Sequence, residues 1–157
     1  MILNLMPDDR KESTALPVLQ DFLDSVQKRS EYLYDAVLKL MNQDISLYLT
    51  GSYFFRTMHE DSDIDFFAVN NYQSITALRY LLFEKDKTQS YWCGEVYVLE
   101  LNDGREKIHV QLLSQDECER KRHVQANMMM FLWHDDIKTI LEDKPRAKRF
   151  WSFAMNL

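Results

Sequence analysis

The amino-acid sequence predicts an α+β domain, a small mixed β-sheet with flanking helices. Three observations carry that expectation. Apolar residues recur three or four apart through the first forty positions, the pattern switches to alternation at Ile45, and helical spacing returns from Gln115. Helices leading and trailing a group of strands, with a further helix inserted between strands, define an α+β layer architecture.

The first helical stripe runs Leu16, Leu19, Phe22, Leu23, Val26, Leu33, Val37, Leu40 and Met41, with a break expected near Ser30. Pro17 is compatible with a first helical turn, where its missing N–H costs nothing, and Ser13 or Thr14 stands close enough to cap. Ile45, Leu47 and Leu49 then alternate with Ser46, Tyr48 and Thr50, so a short strand enters Gly51-Ser52. After a brief irregular or helical stretch, YFFRTMHED, the β-branched and aromatic content of SDIDFFAV predicts a second strand, ended by Asn70-Asn71. Ile75, Leu78, Leu81 and Leu82 share a helical face between Ser74 and Phe83, and a polar turn, EKDKTQ, follows.

Residues 95–101 and 107–113 flank Asn102-Asp103-Gly104-Arg105, and an Asp-Gly pair between two such runs signals a hairpin. From Gln115 the helical pattern passes through ECERKRH and NMMMFLW into HDDIKTILED, expected to end near Pro145. The tail RAKRFWSFAMNL is basic and aromatic.

Length and composition narrow the functional classes. A chain of 157 residues can bury one self-sufficient core, and no internal repeat or composition shift marks a boundary. Residues 1–157 are therefore read as a single domain, with a helical N-terminus over 1–43, a core over 45–113 and C-terminal helices over 115–157. The 19 Lys and Arg against 25 Asp and Glu give a net charge of −6, which disfavours coating nucleic acid by charge alone. No apolar run is long enough to span a membrane, and the start MILNLMPDDRKE lacks the charge and apolar pattern of a secretory leader, so a cytoplasmic location is expected. Cys93 and Cys118 have no metal-like spacing and are read as reduced and structural.

The chemistry concentrates in YLTGSYFFRTMHEDSDIDFFAV. Side chains alternate along a strand, so Asp63 and Asp65 point one way while Ile64 and Phe66 point into the core. Two adjacent carboxylates repel unless a cation lies between them, and an oxygen pair of this kind suits Mg²⁺ or Mn²⁺. Gly51 permits a tight turn and close backbone approach, and the hydroxyl and N–H of Ser52 can receive a phosphate oxygen. The bland alternatives are a solvated strand edge for the aspartates and an ordinary capped turn for Gly51 and Ser52.

The segment GSYFFRTMHEDSDID resembles the nucleotidyltransferase signature of the DNA polymerase β superfamily, in which Gly-Ser closes one strand and Asp-x-Asp stands on the next. The resemblance covers roughly residues 45–113 and implies a protein that binds a Mg²⁺-nucleoside triphosphate, ATP or another. It further implies transfer of a nucleotidyl group to the hydroxyl of a protein, an RNA end or a small molecule. Gly51, Ser52 and Arg56 would face the nucleotide, and Asp63 and Asp65 would hold the metal.

A third carboxylate is usual on a later strand of that family, but the matching strand here, KIHVQLL, offers His109 and Gln111 on the relevant face. Three consequences stay open: His109 is a ligand or base, Glu100 on the preceding strand supplies the oxygen, or the site binds without catalysing. The last is the rival reading, a degenerate module that acts through a protein or RNA partner. A purely structural interaction domain with an incidental Asp pair is a third.

Met128, Met129, Met130, Phe131, Leu132 and Trp133 are apolar all round a helix, expected in the core or in a partner or homo-oligomer interface. Lys144, Arg146, Lys148 and Arg149 beside Phe150 and Trp151 are either a solvated helix end or a nucleic-acid contact. His59, His123 and His134 lack zinc spacing, and Asp135-Asp136 is read as a helix start.

Overall fold

A computed structural model describes residues 2–4, 12–42, 45–55, 58–81, 88–94, 96–102, 106–131 and 142–155. In chain order the elements are β1 (Ile2–Asn4), α1 (Glu12–Arg29), α2 (Glu31–Met41), β2 (Ser46–Thr50), α3 (Gly51–Phe55), β3 (Ile64–Val69) and α4 (Tyr72–Leu81). They continue with β4 (Thr88–Cys93), β5 (Val96–Asn102), β6 (Lys107–Leu113), α5 (Gln115–Phe131) and α6 (Lys144–Met155). The six strands form one mixed sheet in the order β1-β2-β3-β6-β5-β4. β1 runs parallel to β2 and β3 parallel to β6, while the remaining neighbours are antiparallel. The expected α+β architecture is thus the one observed.

Helix starts follow local chemistry. The backbone of Ser30 is extended, with φ −162° and ψ 123°, which divides α1 from α2, and its hydroxyl accepts from the Leu33 N–H at 3.3 Å. The same device recurs at α4, where Asn71 Oδ1 accepts from Ser74 N–H, and at α5, where Ser114 Oγ accepts from Glu117 N–H. At α6 the Arg146 N–H donates to Asp143 Oδ1.

Three departures from the sequence expectation stand out. Ile2–Asn4 is a strand paired with β2, where the apolar spacing predicts only helix. α1 begins at Glu12, placing Pro17 inside the helix, where its nitrogen has no proton to donate to the preceding turn. TQSYWC forms the edge strand β4, partly within the expected polar turn. Pro145 lies in the first turn of α6, a position that suits proline, with Asp143 as cap, while most of HDDIKTILED lies outside the described residues.

Alternation divides the sheet into two faces. Leu47, Leu49, Ile64, Phe66, Ala68, Leu99, Leu101, Ile108, Val110 and Leu112 pack with Phe22, Val26, Leu33, Val37, Leu40 and Leu78 of the helices in one core cluster. Phe22 meets Phe66 edge-on with ring centres 6.3 Å apart. Fully burying a side chain of this size stabilises by roughly 1.5–3 kcal/mol, so this face carries the fold.

The opposite face has a smaller apolar patch, Phe67, Leu113 and Cys118, lined by Tyr48, Val69 and Val96. α5 lies against it, with Lys121 Nζ 5.0 Å from the Phe67 ring centre and the Arg122 guanidinium 4.6 Å from that of Tyr48. The same face of the sheet carries the polar residues described next. Cys118 is buried as expected, whereas Cys93 is exposed, and neither is in a disulfide. No helix among the described residues is long and apolar enough to cross a membrane.

Candidate functional site

The register of the sheet places one polar residue per strand in a single row. Thr50 pairs with Asp65, Asp65 with His109, His109 with Glu100, and Glu100 with Gln89, spanning β2, β3, β6, β5 and β4. Because side chains alternate, all five project from the same face, opposite the main core. Asp63 immediately precedes β3 and shares that face, two residues before Asp65. The expected Asp63/Asp65 pair and the expected alignment of His109 with them are both present.

Gly51 is built into this arrangement. Its φ is +69°, a left-handed conformation that closes β2 into the five-residue α3, and a Cβ placed on it would lie 2.6 Å from Asp65 Oδ2. Only a residue without a side chain allows the backbone so near that carboxylate. Ser52 follows, half-buried, at the start of α3. Arg56 lies outside the described residues, as do Leu132, Trp133, His134, Asp135 and Asp136 and the side chains of Met128 to Phe131.

Two polar supports hold these segments. The Thr50 hydroxyl donates to Gln125 Oε1, and Gln125 Nε2 donates to the Leu49 carbonyl at 3.2 Å, fixing the end of β2 against α5. Arg29 of α1 donates through Nη1 to the Tyr53 hydroxyl and the Ser62 carbonyl, while its Nη2 lies 2.8 Å from Glu106 Oε2. One guanidinium thereby ties α3, the loop entering Asp63 and the approach to β6.

His109 sits between carboxylates. Its Nε2 is 2.6 Å from Glu100 Oε2, and its Nδ1 is 3.2 Å from Asp65 Oδ1 and 3.8 Å from Asp63 Oδ2. Glu100 accepts from Nε2–H, which turns Nδ1 of the ring toward the Asp63/Asp65 pair. The hydrogen bond to Asp65 is the largest influence raising the His109 pKa, opposed by burial and reinforced by Glu100.

Glu100 is buried at 5% exposure, and all four of its lone-pair positions are engaged. Oε1 accepts from Gln89 Nε2 at 2.5 Å and Asn102 Nδ2 at 3.2 Å, and Oε2 accepts from His109 Nε2 at 2.6 Å and the Tyr91 hydroxyl at 3.2 Å. Burial alone would raise its pKa, but the bonds from Gln89, His109 and Asn102 hold it at about 2. The carboxylate is therefore ionised yet unavailable to anything further.

Lys121 is a buried cation near the pair. Its Nζ donates to Gln111 Oε1 at 2.9 Å, and burial lowers its pKa to about 8 against the opposing pull of Asp65. Neither Lys121 nor the Gln89, Tyr91 and Asn102 shell of Glu100 has a signal in linear sequence, since each depends on cross-strand or helix-on-sheet placement. The one readable hint is the alternation that puts Glu100 opposite His109 across the hairpin.

Among the described residues, no group of three or more His, Cys, Asp or Glu side chains is placed to hold a metal ion. The donor set explains this: Glu100 is saturated and both nitrogens of His109 already face carboxylates, which leaves Asp63 and Asp65. Two part-exposed carboxylates fit an ion that also takes phosphate oxygens, because Mg²⁺ is commonly held by one or two carboxylates plus substrate phosphates. They do not fit a cage made by the protein alone. His59 and His123 are exposed and stand apart from this cluster.

No protein-family model and no curated protein sequence matches the chain. Comparison of folds returns a structure of the GLD-2/RNP-8 complex, with a TM-score of 0.49 and 14% identity over 86% of this chain and 56% of that one. The chain thus spans just over half the length of the chain it resembles. At this level of likeness, what the site does has to be read from its own side chains.

Proposed function

We propose that the chain is a nucleotidyltransferase-like protein that binds a Mg²⁺- or Mn²⁺-nucleoside triphosphate and transfers a nucleotidyl group to an acceptor hydroxyl. The observation that carries this reading is the approach of Gly51 to Asp65, which brings the end of β2 against the Asp63/Asp65 face. The turn expected to receive phosphate and the carboxylate pair would then meet at one point.

In that reaction the acceptor oxygen bonds to the α-phosphorus, the bond from that phosphorus to the bridging oxygen breaks, and pyrophosphate leaves with the electron pair. Asp63 and Asp65 would hold the ion, which neutralises charge on the triphosphate. The Ser52 hydroxyl and N–H would receive a phosphate oxygen, with Arg56 as the expected further cation. Thr50, Gln125 and Arg29 fix the backbone that presents these groups. His109 stands nearest the pair and would take the acceptor proton only with Nδ1 unprotonated and released from Asp65.

That last condition favours a second reading, a catalytically degenerate module that keeps the nucleotide pocket and acts through a protein or RNA partner. The segments expected to serve it are the Met-rich stretch 128–133, which is also the expected homo-oligomer contact, and the exposed cations of α6. Both readings take the chain as one cytoplasmic working unit.

Calorimetric titration with ATP, GTP, CTP and UTP, with and without Mg²⁺, tests the pocket beside an Asp63→Ala/Asp65→Ala double variant. Metal-dependent binding lost in the variant is expected, and labelled-nucleotide transfer to candidate acceptors then separates the two readings. Absence of binding for all four nucleotides would sink both and leave a structural interaction domain.

A further inference from the structure

We propose that the chain pairs with a second copy of itself through β4, the two sheets joining edge to edge about a two-fold axis at Ser90. The proposal concerns the sheet edge and stands whether or not the site takes a nucleotide.

β4 is the last strand of the sheet, with β5 as its one neighbour among the described residues. Cys93 and Val96 close a two-residue hairpin loop in which Gly94 has a φ of +64°. The pair closing such a loop exchanges both of its backbone hydrogen bonds, and the direction of these groups alternates along a strand. Cys93, Tyr91 and Gln89 therefore turn their N–H and C=O groups toward β5, and Trp92, Ser90 and Thr88 turn theirs outward. Sheets ordinarily blunt such an edge with charge, proline or a bulge. TQSYWC has no charged residue and no proline, and its register against β5 runs unbroken from Thr88 and Leu101 to Cys93 and Val96. The strand also carries two large exposed rings, Tyr91 at 38% and Trp92 at 65%.

Symmetry and charge select a second copy as the occupant. A two-fold axis perpendicular to the sheet at Ser90 sets Ser90 opposite itself and Thr88 opposite Trp92 of the second copy, so each outward N–H meets an outward C=O. In a chain of net charge −6, an uncharged strand lets two copies approach with no like charges face to face. The same axis keeps each face of the sheet continuous. On the core face, Trp92, whose ring centre is 5.1 Å from that of Tyr97, gains a neighbour across the junction. On the opposite face, Tyr91 of the second copy comes beside Gln89, whose amide donates to Glu100. The polar row of one copy thus ends against a side chain of the other.

Sedimentation of the full chain over a concentration series tests the pairing, and a monomer–dimer equilibrium is expected. Ser90→Pro removes the two central bonds and spares the β5 ladder, because the Ser90 N–H points outward, and should raise the dissociation constant roughly 5–150-fold. Trp92→Lys alters both Trp92 and Thr88 pairs and should raise it roughly 2–30-fold. If circular dichroism shows that S90P does not fold, W92K carries the test. Monomer at every concentration, or a dimer that neither folded variant weakens, overturns the proposal. In a Cys93→Ser background, Ser90→Cys should form an intermolecular disulfide on oxidation, since Cα atoms about 5.5 Å apart in a hydrogen-bonded antiparallel pair lie at disulfide spacing. Trp92→Cys, four residues out of line with its own copy, should not. Failure of S90C to cross-link, or equal cross-linking of W92C, overturns the two-fold at Ser90.

Discussion

Replacing Gly51 by alanine should damage the protein in two separable ways, and Gly94 supplies the control. Both glycines are left-handed, with φ of +69° and +64°, so alanine at either position meets the same backbone penalty, about 1–2 kcal/mol. They differ in surroundings. A Cβ at Gly94 has nothing within 4 Å, whereas one at Gly51 lies 2.6 Å from Asp65 Oδ2, 3.2 Å from its Cβ and 3.3 Å from its Cγ.

Relief at Gly51 requires the carboxylate to retreat by the better part of an ångström, and its hydrogen bond with His109, already 3.2 Å, is lost in doing so. Loss of that bond adds about 0.5–1.5 kcal/mol. G51A should therefore cost about 1.5–3.5 kcal/mol and G94A about 1–2 kcal/mol. For a chain of this length each kcal/mol lowers Tm by about 2–4 °C. Urea and thermal unfolding measure the stabilities, and calorimetry with Mg²⁺-ATP reads the site: affinity should fall for G51A and hold for G94A. Equal stability losses together with equal affinities would refute the close approach of β2 to Asp65.

Other perturbations follow from the same groups. Glu100 is held at about 2 in the folded chain against an ordinary value of 4.5, so its contribution is present above about pH 4.5 and lost as pH falls toward 2. That contribution is on the order of 3 kcal/mol, and urea midpoints between pH 5 and 2 should show a steep acid limb that E100Q flattens. Lys121 has its pKa lowered from 10.5 to about 8, a destabilisation complete below about pH 8 and gone above about pH 10.5. Lys121→Met should consequently raise stability at pH 7 by about 1–3 kcal/mol, less the lost bond to Gln111, with the gain vanishing at pH 10.5. Ser30→Ala removes the cap of α2 and should lower the urea-derived stability by about 1 kcal/mol without altering nucleotide affinity.

Much of the fold was legible because burial is periodic. The alternation in IDFFAV puts Ile64 and Phe66 in the core and leaves Asp65 facing away, and the same alternation in KIHVQLL puts His109 in line with Asp65. Ser30 was visible as the break between α1 and α2. The misses have physical causes. β1 has three residues, too few for a period to show, and its pairing with β2 is a tertiary event. β4 is an edge strand whose Gln89, Ser90, Tyr91 and Trp92 are exposed on both faces, so it carries no alternation between apolar and polar. At the site, the paired aspartates could be read from spacing of two. The saturation of Glu100 could not, because its four donors come from three strands. Nor could the burial of Lys121, which depends on how α5 lies across Phe67.

The row from Thr50 to Gln89 has a bearing on how the sheet assembles. A slip of β6 by one residue against β3 would bring Ile108 or Val110 opposite Asp65 and turn His109 into the apolar layer. A misaligned sheet would thus forfeit its core and its polar row in one stroke, leaving Glu100 buried without its hydrogen bond from His109. Polar matching across the strands works as a proofreader for alignment: a chain that has closed this row has, by the same act, verified its own topology.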